Sequence, residues 1–334
     1  MGHAAPVVDG IWMVRLPLPS RLGHVNAYVL EEADGWAVVD CGYATDEILG
    51  IWDRLLAGFF GGRPLRRLIT THGHTDHVGA ATHLRRKADA SYETTLIEWQ
   101  AARIRYLERG CVDDDTYIRF ARLHGCDPET ARRFAASYQD AVRYLGEQPG
   151  SLLQIEDGDT VALGGRSWKA MIFSGHAEAH LVLHCEEAGL LLAGDQVLPG
   201  ISPLIPVSAA EPFGNPLGAY LDSLASLGGL PRHTLVMPGH GMPFRDIGAR
   251  CARIADHHQD RLSIFNNLLK TPLTSFQLCE SVFGRDKIQS QGRLALSETI
   301  AHLNYLIRSG VVTRIDRGES CAHYAATPGI RTLS

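Results

Sequence analysis

Apolar and polar positions alternate through the first ninety residues. Residues 11–16, 26–30 and 36–40 carry β-branched and aromatic side chains in short runs, and Asp34-Gly35 punctuates them as a hairpin turn, so the pattern predicts strands. The period then lengthens: 46–57 reads as a helix, 65–70 as another short strand and 78–87 as a second helix. Over 96–147 the strand pattern stops, and Ala131, Phe134, Tyr138, Val142 and Leu145 fall at helical spacing. Asp127-Pro128-Glu129 supplies a cap, a proline at the first helical position and an acid in the first turn, which marks a helical insertion. Strands return at 160–163, 168–173, 181–185 and 190–193, followed by a helix at 216–227 and a strand at 234–237.

Beyond Gly241 the texture changes. Ile247, Cys251, Ile254, His258, Leu262, Phe265 and Leu269 step by three or four along one long helix, which puts a boundary near Asp246. The chain is therefore expected to divide into a domain over 1–246 and a helical module over 247–334. In the module, helices at 274–282 and 295–309, a Gly310 stop, a strand at 311–315, the Asp316-Arg317-Gly318 turn and a strand at 322–325 follow the order of a winged helix-turn-helix.

Composition narrows the class. At 334 residues, 45% apolar and 21% charged, the chain is a folded globular protein and not a disordered or collagen-like one. A net charge of -5 argues against nucleic-acid coating or anionic membrane docking. Seven scattered cysteines with no C-x-x-C pair point to reduced thiols and a cytoplasmic setting. Neither a secretory signal nor a charge-free segment of the ~20 residues a membrane span needs is visible.

The densest chemistry is Thr71-His72-Gly73-His74-Thr75-Asp76-His77, at the junction of a strand and a helix. His72 and His74, two apart in extended backbone, point to one side with only Gly73 between them, so two imidazoles can grip one cation. Asp76 and His77, on the turn that follows, offer a carboxylate and a third imidazole to a second cation. A histidine-rich surface turn is the plain alternative in a chain with 16 histidines.

The segment His72-Gly73-His74-Thr75-Asp76-His77 resembles the H-x-H-x-D-H motif of the metallo-β-lactamase superfamily. Further matches follow in order: Asp40 in Val-Val-Asp-Cys-Gly, where the family more often has Thr in place of Cys41; His176 in Phe-Ser-Gly-His; Asp195 in Leu-Leu-Ala-Gly-Asp; and His240 in Met-Pro-Gly-His-Gly. The resemblance covers about residues 10–244 and implies an α+β fold, a four-layer αββα sandwich with metals at the strand ends between two sheets. It implies His72, His74 and His176 on one divalent ion, Asp76, His77 and His240 on a second, and Asp195 bridging them, with zinc expected ahead of iron or manganese. A hydroxide between the two ions would be the nucleophile, and Asp76 would be the catalytic carboxylate that orients it and passes a proton to the leaving group.

The expected activity is hydrolysis of an ester-like bond in a small molecule, a thioester or lactone ahead of a β-lactam. An endoribonuclease-like phosphodiesterase with a nucleic-acid-binding winged helix is the alternative, and a mononuclear-iron sulfur dioxygenase ranks third because the second-ion residues are all present. Residues 247–334 carry eleven basic and seven acidic side chains, a net of +4, but the stretch 295–309 has only Arg308, at its far end. Nucleic acid and membrane are thus not expected as partners, whereas the module could serve a homodimer or shape the active site. The insertion 96–147 holds seven of the 25 aromatic residues, among them Trp99, Tyr117, Phe120 and Tyr138, and reads either as a lid with an apolar pocket or as rings packing the helices together. His180 reads as the start of a strand, with a contact to the metal site as the alternative. His257, His258, His302 and His323 read as surface or packing residues.

Overall fold

A computed structural model describes residues 1–20, 22–110, 115–315 and 321–328. The first sheet runs in chain order: β1 (Ala4–Val8), β2 (Ile11–Pro17), β3 (His24–Glu32), β4 (Gly35–Val39), β5 (Leu65–Ile69), β6 (Ser91–Thr94) and β7 (Leu153–Gln154). It is antiparallel from β1 to β4 and parallel from β4 to β7. The second sheet has the order β12-β11-β10-β9-β8, with β8 (Thr160–Leu163), β9 (Arg166–Phe173), β10 (His180–Cys185), β11 (Leu190–Gly194) and β12 (Leu235–Pro238). Only the β11–β12 pairing in it is parallel.

The two-residue period of the strands sorts their side chains into two cores. Val14, Leu16, Val25, Ala27, Val29, Trp36 and Val38 pack under α1 (Asp46–Arg54) with Ile48, Ile51 and Trp52. Their neighbours Ile11, Met13, Tyr28, Leu30, Ala37 and Val39 face Trp168, Leu181, Leu183 and Leu192 of the second sheet. Helix, sheet and sheet are thereby stacked, with both faces of the first sheet buried, which explains its near-continuous apolar runs. This α+β sandwich is the expected architecture.

Local differences from the expected elements have local causes. The Thr45 hydroxyl caps α1 by accepting from the Ile48 N–H, but the helix widens into a π-helical turn over Leu55–Phe59 before a run of glycines. The helix expected at 78–87 begins earlier and breaks in two, α2 (Thr75–Val78) and α3 (Ala81–Ala88). At the break, a Cβ on Gly79 would lie 2.8 Å from the Gly42 carbonyl and the Ala44 nitrogen, so only glycine lets the chain approach so closely.

The insertion is helical as expected: α4 (Leu96–Glu108), α5 (Asp115–Leu123) and α6 (Pro128–Val142), with Asp127 Oδ1 accepting from the Glu129 and Thr130 N–H groups ahead of α6. After it come α7 (Pro216–Gly228), α8 (Ile247–Leu268), β13 (Leu273–Thr274), α9 (Ser275–Arg308), β14 (Val312–Ile315) and β15 (His323–Ala326). The two helices expected at 274–282 and 295–309 are parts of α9, which departs from helical backbone at Gly284 and Gln291. β14 and β15 pair as expected, β13 adds a third antiparallel strand, and the turn expected at Asp316 to Gly318 lies outside the described residues.

By contacts the chain forms two compact units, and they are discontinuous in sequence. Met1–Arg109, Ala141–Pro203 and Leu227–Arg250 form the first; Gly110–Asp140, Leu204–Ser226 and Cys251–Ser334 form the second. This grouping differs from a linear division at residue 246 because part of the insertion packs with the C-terminal segment. Phe134 lies against Phe276 and Gly292, Tyr117 stacks on Tyr138 at 4.1 Å, and Arg293 lies over the Tyr138 ring. His258 Nδ1–H donates to His302 Nε2, and His302 Nδ1–H to the Glu298 carbonyl; burial lowers both histidines to about 3. Glu298 also lies within ligand-forming reach of these rings, but its carboxylate pairs with Arg261, so the cluster is accounted for as a neutral packed network. No helix of the described residues is long and apolar enough to cross a membrane.

Candidate metal centre

Four chain segments of the first unit deliver the seven expected residues, each just beyond a strand. His72 and His74 follow β5, with Asp76 and His77 on α2; His176 lies between β9 and β10, Asp195 follows β11, and His240 follows β12. Strand ends place these side chains well because the sheet holds each backbone exit while the loop remains free to turn.

The structure brings all seven together. His72 Nε2 and His74 Nδ1 face each other at 2.9 Å, and the His176 ring stands 4.6 Å from His74 and 5.0 Å from His72. His72, His74 and His176 form one group able to hold an ion; Asp76, His77 and His240 form another. Asp195 reaches both: its Oδ2 is 3.6 Å from His176 Nε2 and 3.2 Å from His240 Nε2, and its Oδ1 is 3.5 Å from His77 Nε2. A Cβ on Gly239 would fall 2.2 Å from Asp195 Oδ1, so the β12 loop passes the carboxylate only because that residue is glycine.

Hydrogen bonds on the far side of the rings fix which nitrogen faces the centre. Asp40, at φ 62, accepts from the Thr71 N–H, from the Thr71 hydroxyl and from His77 Nδ1–H at 2.8 to 2.9 Å. With its hydroxyl proton given to Asp40, Thr71 Oγ1 accepts from His72 Nδ1–H at 3.0 Å. His240 Nδ1–H donates to the His24 carbonyl at 2.7 Å. In each ring the remaining Nε2 lone pair points at the cluster, an arrangement that orients metal-ligating histidines.

The donor set fits divalent cations. His77 Nε2 and Asp195 Oδ1 are buried without a hydrogen-bond partner, 3.5 Å apart, the separation expected of two ligands that each sit about 2.0–2.2 Å from one ion. Burial first, then the neighbouring imidazoles, holds His72 and His74 well below the usual histidine range, which keeps their lone pairs available. Burial also pulls His240 down, but Asp195 and Asp76 more than reverse this and hold it at about 10; Asp195, Asp40 and Asp76 raise His77 in the same way. Carboxylates that favour a proton on these rings equally favour a cation in its place.

His180 begins β10, as expected, and is also in contact with the centre. Its buried ring stacks on His72 at 4.6 Å, and its Nε2 accepts from the Asp195 N–H at 3.0 Å. Burial lowers it to about 3, so it stays neutral and keeps that acceptor. Asn26 and Tyr28, absent from the expected site, donate to the Pro238 carbonyl, and Asn26 also to that of Gly241, fastening the loop that carries His240. Their place on a strand that otherwise reads as core was the only available signal.

Comparison with known proteins identifies the family. Residues 262–327 match the metallo-beta-lactamase-like C-terminal domain. A Bacillus subtilis protein named "Probable metallo-hydrolase YqjP" is 26% identical over 333 residues, covering 93% of this chain and 97% of that one. A beta-lactamase domain protein from Burkholderia ambifaria superposes with a TM-score of 0.88 at 31% identity, covering 98% of this chain and 95% of its own. A hydroxyacylglutathione hydrolase from Synechococcus is 31% identical over 110 residues, 31% of this chain and 41% of that one. Since residues 20–240 also match the Metallo-beta-lactamase superfamily itself, and the metal-ligand constellation lies within them, the chain belongs to that superfamily and is one of its hydrolases.

Proposed function

We propose that the chain is a two-ion hydrolase of small-molecule thioesters or lactones, with zinc as the metal. The observation that carries the two-ion reading is Asp195, whose two oxygens reach His176 on one side and His77 and His240 on the other. Divalent cations held there would supply Lewis acidity and an ionised water at neutral pH. His72, His74 and His176 would hold one ion, and Asp76, His77 and His240 the other. Asp76 is the proton carrier in this reading: its Oδ2 lies 3.4 Å from His240 Nε2, within the second group, where a carboxylate can accept a proton and release it to the leaving group.

The substrate preference draws on the hydroxyacylglutathione hydrolase similarity, since an acyl group on glutathione is a thioester. Against a nucleic-acid reading stands α9, where no residue between Ala295 and Ile307 is exposed, so this stretch offers little face to a groove. The test is a panel in which the zinc-loaded protein meets acyl thioesters, lactones, a β-lactam, a phosphodiester and RNA. Turnover of thioester or lactone at neutral pH is expected; RNA cleavage with neither of these would replace the reading by the nuclease one.

A further inference from the structure

The first helix of the insertion contributes a carboxylate to the framework of the metal centre. Glu98 is the third residue of α4, whose N-cap is Thr95, and its side chain is buried, the residue being 1% exposed. A glutamate at this position ordinarily turns back to the N-cap N–H, completing a capping box. Here both oxygens are used elsewhere. Oε2 accepts from the Gly73 N–H at 2.7 Å and Oε1 from the Ala179 N–H at 2.7 Å. Gly73 lies between His72 and His74, and Ala179 lies between His176 and His180, so one carboxylate joins the two loops whose imidazoles form the first ion group.

The surroundings reinforce this bridge. The Thr95 hydroxyl donates to the Ala179 carbonyl at 3.0 Å, and Arg105 Nη1 donates to the Gly73 carbonyl at 2.8 Å. Helix and loop are so close that a Cβ on Gly73 would lie 2.6 Å from the Glu98 carbonyl oxygen and 3.2 Å from the Ala102 nitrogen. Burying a carboxylate is costly unless its hydrogen bonds are made, and two short charge-assisted bonds at a helix N-terminus meet that requirement.

We propose that Glu98 is a positioning residue of the metal centre, setting the spacing of the His72/His74 turn against the His176 loop. The proposal rests on the reading of His72, His74 and His176 as an ion site. Glu98→Gln keeps the size but turns one N–H acceptor into an amide donor facing an N–H. Zinc affinity measured by chelator competition is expected to fall about 10- to 100-fold for one of the two ions, the range seen when groups behind metal ligands are removed. The cobalt(II) absorption spectrum should change with it, while the metal-free protein keeps its circular dichroism and melts somewhat lower, for the one buried N–H left facing a donor. A purely structural role predicts a lowered melting temperature with unchanged zinc affinity and an unchanged cobalt spectrum, and that result overturns the proposal. Should Glu98→Gln fail to fold, Glu98→Asp retains the charge and shortens the reach by one methylene; it should show the same loss, and unchanged affinity again overturns the proposal. Wild-type protein that binds no zinc would sink the ion-site reading and this proposal together, whereas normal wild-type binding with unaffected variants sinks only the proposal.

Discussion

His74→Ala is expected to lower hydrolysis by on the order of 10³-fold or more, because a lost cation removes several kcal/mol of transition-state stabilisation and each 1.36 kcal/mol is a factor of ten. His74 faces His72 Nε2 at 2.9 Å and stands beside His176, so its removal opens the three-imidazole group. The fold should survive. His74 is the N-cap residue of α2 but makes no side-chain capping bond, and the two sheets hold their core without it. A thermal melt within a few degrees of wild type, combined with lost turnover and lost zinc, is the expected pair of results. Retained turnover would remove His74 from the site.

Asp40 should divide stability from activity. Asp40→Ala leaves the Thr71 N–H, the Thr71 hydroxyl and His77 Nδ1–H buried without their acceptor, at ~1–3 kcal/mol each, and places alanine at a positive φ that costs ~1–2 kcal/mol more. Against a typical total of ~5–15 kcal/mol, a loss of about 4 kcal/mol or more is expected in urea unfolding. Asp40→Asn should be milder, since asparagine tolerates left-handed backbone and can still accept from Thr71 N–H. Its amide would face His77 Nδ1 as a donor, driving the proton to Nε2 and turning the ligand lone pair away, so activity and zinc affinity should fall roughly 10- to 100-fold with most of the stability kept. Equal stability of the alanine variant and the wild type would contradict the role of Asp40.

The site residues were legible in the sequence through the dense His72-Gly73-His74-Thr75-Asp76-His77 segment and, by resemblance to the family pattern, through His176, Asp195 and His240, each in a short motif just beyond a strand. The strands themselves were legible where alternation fills two cores, as in β2, β3 and β4. β6 and β7 were not: Ser-Tyr-Glu-Thr has one apolar side chain, and β7 has only two residues. The break at Gly79 and the irregularity at Gly284 belong to the tertiary path of the chain and leave the apolar period almost intact. Aromatic enrichment in the insertion was visible, but its destination was not, because Phe134 meets Phe276 and Gly292 well over a hundred residues away. Glu98 was hidden for a similar reason. In sequence it is an ordinary first-turn acid, and only the fold brings it the N–H groups of Gly73 and Ala179.

The measurement that bears most directly on the two-ion hydrolase is metal analysis of protein purified without chelator, alongside Asp195→Asn. The Asp195 carboxylate reaches both groups of imidazoles. Two divalent ions per chain in the wild type, dropping to one or fewer in the variant together with hydrolysis, is the predicted result. One ion or none in a wild type that hydrolyses substrate at full rate, or two ions retained at full rate without Asp195, would contradict the account.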